Sequence, residues 1–397
     1  MLNASKIICL TLAFSALLGA CASTSTQYPI IETTEIEADT VAIQSSVIDA
    51  VLERKARVDD IAWPLLVSSA DLCHNRRRDA FGLTIGNDRT IRSLVDGFNL
   101  KQVNAAGYDD RPVVLGVSAG SPAFQAGLRP GAVPIRVGGT DVQGQLDVLT
   151  DALGTYAKSR SAAKRAGEDP PALPVVFDQA GERLDLVLEP QTICNVQVQV
   201  LETSVVNASA GEDRIRINRG LLTYFPDDAD IALVVAHEIG HVAGRHVPKL
   251  ERNATVSGLY LWGVPIAIGA GLLDLTIGGV LERFAGVETP PGAAALTRVQ
   301  NGVLGIRNFE READYLSMYI AARAGLDISQ VERVFESFSK VSPKSTYGTR
   351  SHPVTAERML ALAATRAEIE AKQAAGELLV PNGWPWPIPG ALETVED

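Results

Sequence analysis

The residues best suited to chemistry in this 397-residue chain are His237-Glu238-Ile239-Gly240-His241. Read as helix, the pattern sets its two histidines four residues apart on one face, so both imidazoles can grip a single zinc ion. Glu238 then stands beside the metal. Zinc lowers the pKa of a bound water to roughly 7, and a carboxylate at the second motif position can take that water's proton as it attacks a peptide carbonyl. The same five residues also arise by chance on exposed helices, so the flanking sequence decides. Pro226-Asp227-Asp228 supplies a helix start, and Ile231, Val234, Val235 and Ile239 give an apolar face at helical spacing. A buried helix carrying two histidines and a glutamate needs partners for those groups, and a metal supplies them.

A catalytic zinc of this kind needs a third protein ligand and one open position. His246, five residues past His241, is turned off the ligand face by helical arithmetic. The better source is Asn308-Phe309-Glu310-Arg311-Glu312-Ala313-Asp314. On a helix Glu310 and Asp314 share a face, so Glu310 can ligate while Asp314 accepts the remaining N–H of a ligand histidine. Glu312 points elsewhere.

Together, His237 to His241, the Glu310 to Asp314 E-x-x-A-D run, Ser351-His352-Pro353 and Arg358 resemble the zinc peptidase family of the CAAX prenyl endopeptidases and the membrane heat-shock protease. That family has a periplasmic branch in outer-membrane protein quality control. The resemblance runs from about Val196 to Leu362, with Val205-Val206-Asn207-Ala208 and Arg219-Gly220-Leu221-Leu222 similar to the family's first strands. It implies one zinc ion held by His237, His241 and Glu310, with Glu238 as catalytic base and Asp314 orienting a histidine. His352 then sits near the metal, either stabilising the oxyanion or filling the open position at rest; the alternative is a helix-start residue before Pro353. Arg358 holds a carboxylate near the site. Ile306-Arg307 departs from the Ser-Arg of many members.

Met1 to Ala20 carries Lys6, an apolar stretch from Ile7 to Leu18 and small residues before Cys21, a secretory signal pattern too short for a comfortable span. Leu18-Gly19-Ala20-Cys21 resembles the bacterial lipobox, which implies lipidation of Cys21; an ordinary signal with an incidental cysteine is the alternative. Ala22 in place of aspartate implies, by resemblance to enterobacterial lipoproteins, the outer rather than the inner membrane. Acyl chains anchor stably, at about 0.8 kcal/mol per buried methylene. With Cys9 and Cys21 so assigned, Cys73 and Cys194 remain, and an exported chain predicts a disulfide between them, two unpaired thiols being the alternative. Residues 21–40, Ser/Thr-rich and then acidic, read as a tether. Residues 41–72 read as a helix belonging to the catalytic unit, with Val47, Ile48, Val51, Leu52, Val58 and Ile61 on an apolar face.

Between the cysteines, residues 73–194 read as a module. Gly120-Ser121-Pro122-Ala123-Phe124-Gln125-Ala126-Gly127-Leu128-Arg129-Pro130-Gly131 resembles the glycine-bracketed helix of bacterial PDZ domains. A helix from Gln145 to Lys158 follows, then a hairpin of Pro174 to Phe177 and Arg183 to Leu188. The resemblance implies a peptide groove, with Phe81-Gly82-Leu83 as carboxylate-binding loop and edge strand and the 145–158 helix as its other wall. Ala132 departs from the usual aspartate after Gly131, and 87–111 is longer than a simple connection. A spacer that binds nothing is the alternative.

Residues 195–375 complete the catalytic domain, and 376–397 form a Pro/Trp-rich tail. Ala254 to Leu273 is an uncharged run of 20 residues, of spanning length. One crossing there would part His241 from Glu310, and its glycines and Pro265 weaken a regular helix, so it reads as a core or lid segment, in one version dipping into the membrane surface. Glu288 to Ala295 reads as a loop beside the cleft. With 46% hydrophobic residues the chain can bury two cores, and a net charge of −11 gives no basis for binding nucleic acid. The expectation is an α+β chain: a mainly helical zincin-type domain with a small sheet and an inserted β-rich PDZ domain. As a periplasmic zinc endopeptidase, anchored to the membrane by lipid, it would act on misfolded or misassembled envelope proteins and peptide C-termini. The alternative is a peptide-binding chaperone or assembly factor with a latent metal site.

Overall fold

The computed structural model describes residues 31–74, 76–95, 103–104, 106–253, 306–341 and 355–385. The signal segment, Cys21, the 254–273 run, the 288–295 loop and Ser351-His352-Pro353 lie outside the described residues. By contacts the chain divides between Gln44 and Ser45, and the described residues before the division are the exposed first turns of one helix. No helix among the described residues is long and apolar enough to cross a membrane.

That helix, α1 (Thr33–Ser68), starts eight residues before the sequence pattern does. From Ser45 on it serves two cores. Ile48 and Val51 pack with Ile91, Val95 and Leu115 of the segment that follows, whereas Val58, Ile61, Ala62, Leu65 and Leu66 enter the core that holds the metal-ligand candidates. The apolar face drifts along a helix of this length, and different stretches meet different neighbours.

Next come β1 (Arg77–Ala80), β2 (Leu83–Gly86), α2 (Asp88–Leu94), β3 (Val113–Val117), the single turn α3 (Pro122–Gln125), β4 (Val133–Val137), β5 (Thr140–Asp141), α4 (Leu146–Ala166), β6 (Leu173–Gln179), β7 (Glu182–Leu188) and β8 (Gln191–Cys194). β2 pairs antiparallel with β3, and β5-β4-β6-β7 form an antiparallel sheet. Their inward residues, with Ala123, Leu128 and Leu149, form a second core. Local chemistry fixes the joints: Ser121 caps α3 with Pro122 at its first position, and Ala180 and Gly181 both take positive φ to turn β6 into β7. α4 runs on to Ala166, past the expected Lys158, before Gly167 ends it at φ +73°. β1 and β8 pair antiparallel, and Cys194, the last residue of β8, is bonded to Cys73 ahead of β1, so one neck closes both ends of the segment.

The chain then makes β9 (Gln197–Leu201), β10 (Ala208–Ala210), β11 (Arg214–Asn218), α5 (Arg219–Tyr224), α6 (Asp228–Ala243), α7 (Ile306–Arg323), α8 (Val331–Val341) and α9 (Ala356–Ala374). The small sheet has order β10-β11-β9, with β9 and β11 parallel. Two short readings change here. Arg219–Leu222 is helix rather than strand, and of Val205–Ala208 only Ala208 enters a strand. Gly220 explains the tight corner: a Cβ there would lie 2.2 Å from the Ser204 carbonyl oxygen. α6, capped by the Asp227 carboxylate on the Ala229 N–H, packs against β10, β11 and α7, and α9 closes over α7.

Candidate active site

α6 is buried from Asp230 to Ala243, so each polar group it carries must be answered from a neighbour. The answer comes from α7. Gly240 is the point of closest approach, where a Cβ would stand 2.6 Å from the Ala313 carbonyl oxygen. This contact brings Glu310 and Asp314, four residues apart on one face of α7, over His237 and His241 on α6.

Three donors converge. His241 Nε2 lies 3.1 Å from His237 Nε2, and the two oxygens of Glu310 lie 3.5 Å from His237 Nε2 and 3.4 Å from His241 Nε2. Ligand atoms about 2.0–2.1 Å from a tetrahedral zinc are about 3.3 Å apart. Two imidazoles and a carboxylate at that spacing, all buried, fit one metal ion, and they are the only such cluster among the described residues.

Behind this cluster the charges are layered. His237 Nδ1 faces Asp314 at 3.0 Å. Arg358, reaching in from α9, donates to both Asp314 oxygens at 2.7 Å and lies 3.2 Å from Glu310. Burial works against a charged His237, but Asp314 and Glu310 outweigh it and hold its pKa up at about 9. Burial disfavours the Asp314 carboxylate, yet Arg358 and His237 keep its pKa below the usual value. For Arg358 burial is likewise overcome, by Asp314, Glu310 and Glu238, so the guanidinium stays charged. Glu238 is buried beside these groups. Phe335 of α8 closes one side, its ring 5.3 Å from that of His237.

The fold thus gathers His237, Glu238, His241, Glu310, Asp314 and Arg358; His352 lies outside the described residues. It also adds groups that helical arithmetic set aside. α6 stops at Ala243, Arg245 takes φ +54°, and helical residues resume at His246, so the chain turns back and His246 Nδ1 comes to 2.9 Å from His241 Nδ1. Its Nε2 contacts Glu312 at 3.0 Å, and its ring stacks on Phe309. Burial pushes the His246 pKa down, with Glu312 opposing it in part. The Gly244-Arg245 break was the available sequence signal, since glycine after a helical run marks its end.

Phe81, Gly82 and Leu83 lie in the inserted segment. Gly82 has φ +73°, and a Cβ on it would overlap Ser121. Phe81 and Gly82 give their carbonyls to Ala123 N–H and Ser118 N–H, and the Phe81 ring lies 6.0 Å from Tyr156 of α4.

Residues 182–366 match Peptidase family M48. Among curated proteins, the chain is similar to the mitochondrial metalloendopeptidase OMA1 of Arabidopsis thaliana, 29% identical over 148 residues, 36% of this chain and 26% of that protein. It is similar to the beta-barrel assembly-enhancing protease of Escherichia coli, 28% identical over 149 residues, 36% of this chain and 28% of the relative. A putative beta-barrel assembly-enhancing protease of Vibrio cholerae is 26% identical over 141 residues, 35% of this chain and 27% of the relative. The matched stretch spans about a quarter of the length of these relatives. Residues 182–366, the stretch that brings His237, His241 and Glu310 together, are thus similar to Peptidase family M48, and the relatives that match the chain carry metalloendopeptidase and protease names.

Proposed function

We propose that the chain is a zinc-dependent endopeptidase of the bacterial cell envelope, with His237, His241 and Glu310 as the ligands of one zinc ion. The observation that carries this reading is the spacing of the three donors, 3.1 to 3.5 Å, beside a buried Glu238. Zinc in such a site polarises a carbonyl and makes water a nucleophile near neutral pH. The chain's own residues do the rest. Glu238 takes a proton from the attacking water and returns it to the leaving amine. Asp314 accepts from His237 Nδ1 and leaves Nε2 for the metal, while Arg358 fixes Asp314 and neutralises the surplus negative charge. His352 supports the oxyanion or blocks the open position.

The substrates in this reading are misfolded or misassembled envelope proteins, in line with the beta-barrel assembly-enhancing names of two relatives. In this reading the protein is periplasmic and lipid-anchored, at the outer rather than the inner membrane, and the lipobox-like run at Cys21 supports it. Residues 73–194 act as a PDZ domain. Among the described residues β2 pairs with β3 alone, so its other edge can take an extended peptide, and the Phe81-Gly82-Leu83 turn offers backbone N–H groups to a C-terminal carboxylate.

The test is degradation of an unfolded protein by the zinc-loaded chain lacking residues 1–21, run beside Glu238→Gln. Cleavage by the parent that vanishes in the variant, with one zinc bound in both, is the expected result. No cleavage by either, with zinc bound, would overturn the peptidase reading in favour of a peptide-binding role with a latent site.

A further inference from the structure

His237 and His241 are answered by different chemistry on their far sides. His237 Nδ1 meets a carboxylate, Asp314, at 3.0 Å, whereas His241 Nδ1 meets a second imidazole, His246 Nδ1, at 2.9 Å. A histidine that offers Nε2 to a metal carries its proton on Nδ1. His241 therefore donates to His246 Nδ1, which leaves the proton of His246 on Nε2, where it donates to Glu312 Oε2 at 3.0 Å. Both nitrogens of both rings are used, and Lys249 Nζ lies 3.4 Å from the same Glu312 oxygen.

The backbone is shaped to hold this ring. His246 is 1% exposed and stacks on Phe309 at 4.8 Å with 24° between the planes. A Cβ on Gly244 would stand 2.3 Å from His246 Nε2, so only glycine leaves room there. A histidine that merely fills a core needs a hydrogen bond somewhere. This one joins the outer nitrogen of a metal-ligand candidate to a half-buried carboxylate two residues from another.

Resting on the zinc-site reading, we propose that His246, held by Glu312, is a positioning residue that fixes the tautomer and ring orientation of His241, the part Asp314 plays for His237. The two ligand histidines then differ in basicity, because a neutral imidazole polarises its donor less than a carboxylate does.

The test is zinc affinity of the parent, His246→Leu, His246→Gln and Glu312→Ala by competition with a chelator, with the cobalt-substituted absorption spectrum as a second readout. Leucine fills the ring's volume without accepting a hydrogen bond; glutamine can accept one. His246→Leu should weaken zinc binding roughly 10- to 100-fold and shift the cobalt bands, with glutamine recovering most of both. Parental affinity and spectrum in His246→Leu would overturn the proposal, as would equal loss in the leucine and glutamine variants, which would mean packing alone. Should His246→Leu fail to fold, Glu312→Ala decides: a shifted spectrum supports the relay, and an unchanged spectrum with unchanged affinity overturns it. A parent that binds no zinc would remove the metal-site reading itself, and the relay with it.

Discussion

Gly240→Ala sets two effects against each other. Alanine in place of a mid-helix glycine adds about 1 kcal/mol of helix propensity. Here the new methyl would meet the Ala313 carbonyl oxygen at 2.6 Å, with Ala313 Cα at 3.2 Å and its carbonyl carbon at 3.3 Å. These are backbone atoms, so no rotamer change relieves the clash. Restoring ordinary contact moves α7 away from α6 by about 0.8 Å, and overpacking of this kind costs about 1–3 kcal/mol. The net effect on the chelated protein is a loss of up to about 2 kcal/mol. The larger consequence falls on the metal. Glu310 rides on α7 and the histidines on α6, and ligand distances tolerate only about 0.2 Å. Zinc affinity should therefore fall at least about tenfold, out of proportion to the loss of stability. Chelator competition reads the first quantity and denaturant unfolding with excess chelator the second. A Gly240→Ala chain that is more stable than the parent and binds zinc equally well would show that this contact does not set the Glu310 position.

Arg358→Met should destabilise the chelated protein by about 3–5 kcal/mol in urea unfolding, because Asp314 loses a bidentate partner inside the core. Arg358→Lys should recover little, since one ammonium cannot reproduce the fork. Replacing Cys73 and Cys194 by alanine opens a loop with a sequence separation of 121, and should cost about 4–5 kcal/mol, read as the gap between parent and variant melts without reductant. Asp79 feels burial, which raises its pKa, but Lys164, Arg160 and Thr192 outweigh it and leave the folded value depressed. Its stabilisation is thus present above the unfolded pKa of about 4 and lost as the pH falls through the lower folded value. The melting-temperature gap between parent and Asp79→Asn should be full near neutrality and close progressively below about pH 4.

Legibility from sequence followed periodicity. The convergence of His237, His241 and Glu310 was readable because helical spacing sets side chains reliably within one unbroken helix, which holds for His237 and His241 on α6 and for Glu310 and Asp314 on α7. A helix start was readable where a side chain caps it, as with Asp227 before α6. The first turns of α1 were not: composition from Thr33 to Thr40 resembles a tether, and these residues are exposed, so no apolar stripe announces the helix. Yet Glu35, Glu37 and Ala38 favour helix locally, and propensity extends α1 outward from its buried part. The 219–222 stretch failed differently. A short apolar run fits strand or helix alike, and the choice is made by Gly220 against the 204–205 backbone, a contact absent from local sequence.

His246 marks where spacing arguments end. Counted along a continuous helix, five residues past His241 is off the ligand face, and among the described residues His246 is indeed not one of the three converging donors. It is wrong about the neighbourhood, because the helix does not continue. Gly244 ends it, Arg245 at φ +54° reverses the path, and His246 returns to the far side of the His241 ring. Glu312 was set aside by the same count, since it lies between Glu310 and Asp314 on another face of α7. Two residues dismissed separately, each for pointing away from the metal, point toward each other. Facing away from the three donors is the condition for acting on the outer nitrogen of a ligand. Once a metal-binding helix is read, the break after it and the off-face carboxylates of its partner helix are therefore the places to seek the groups that hold its ligands.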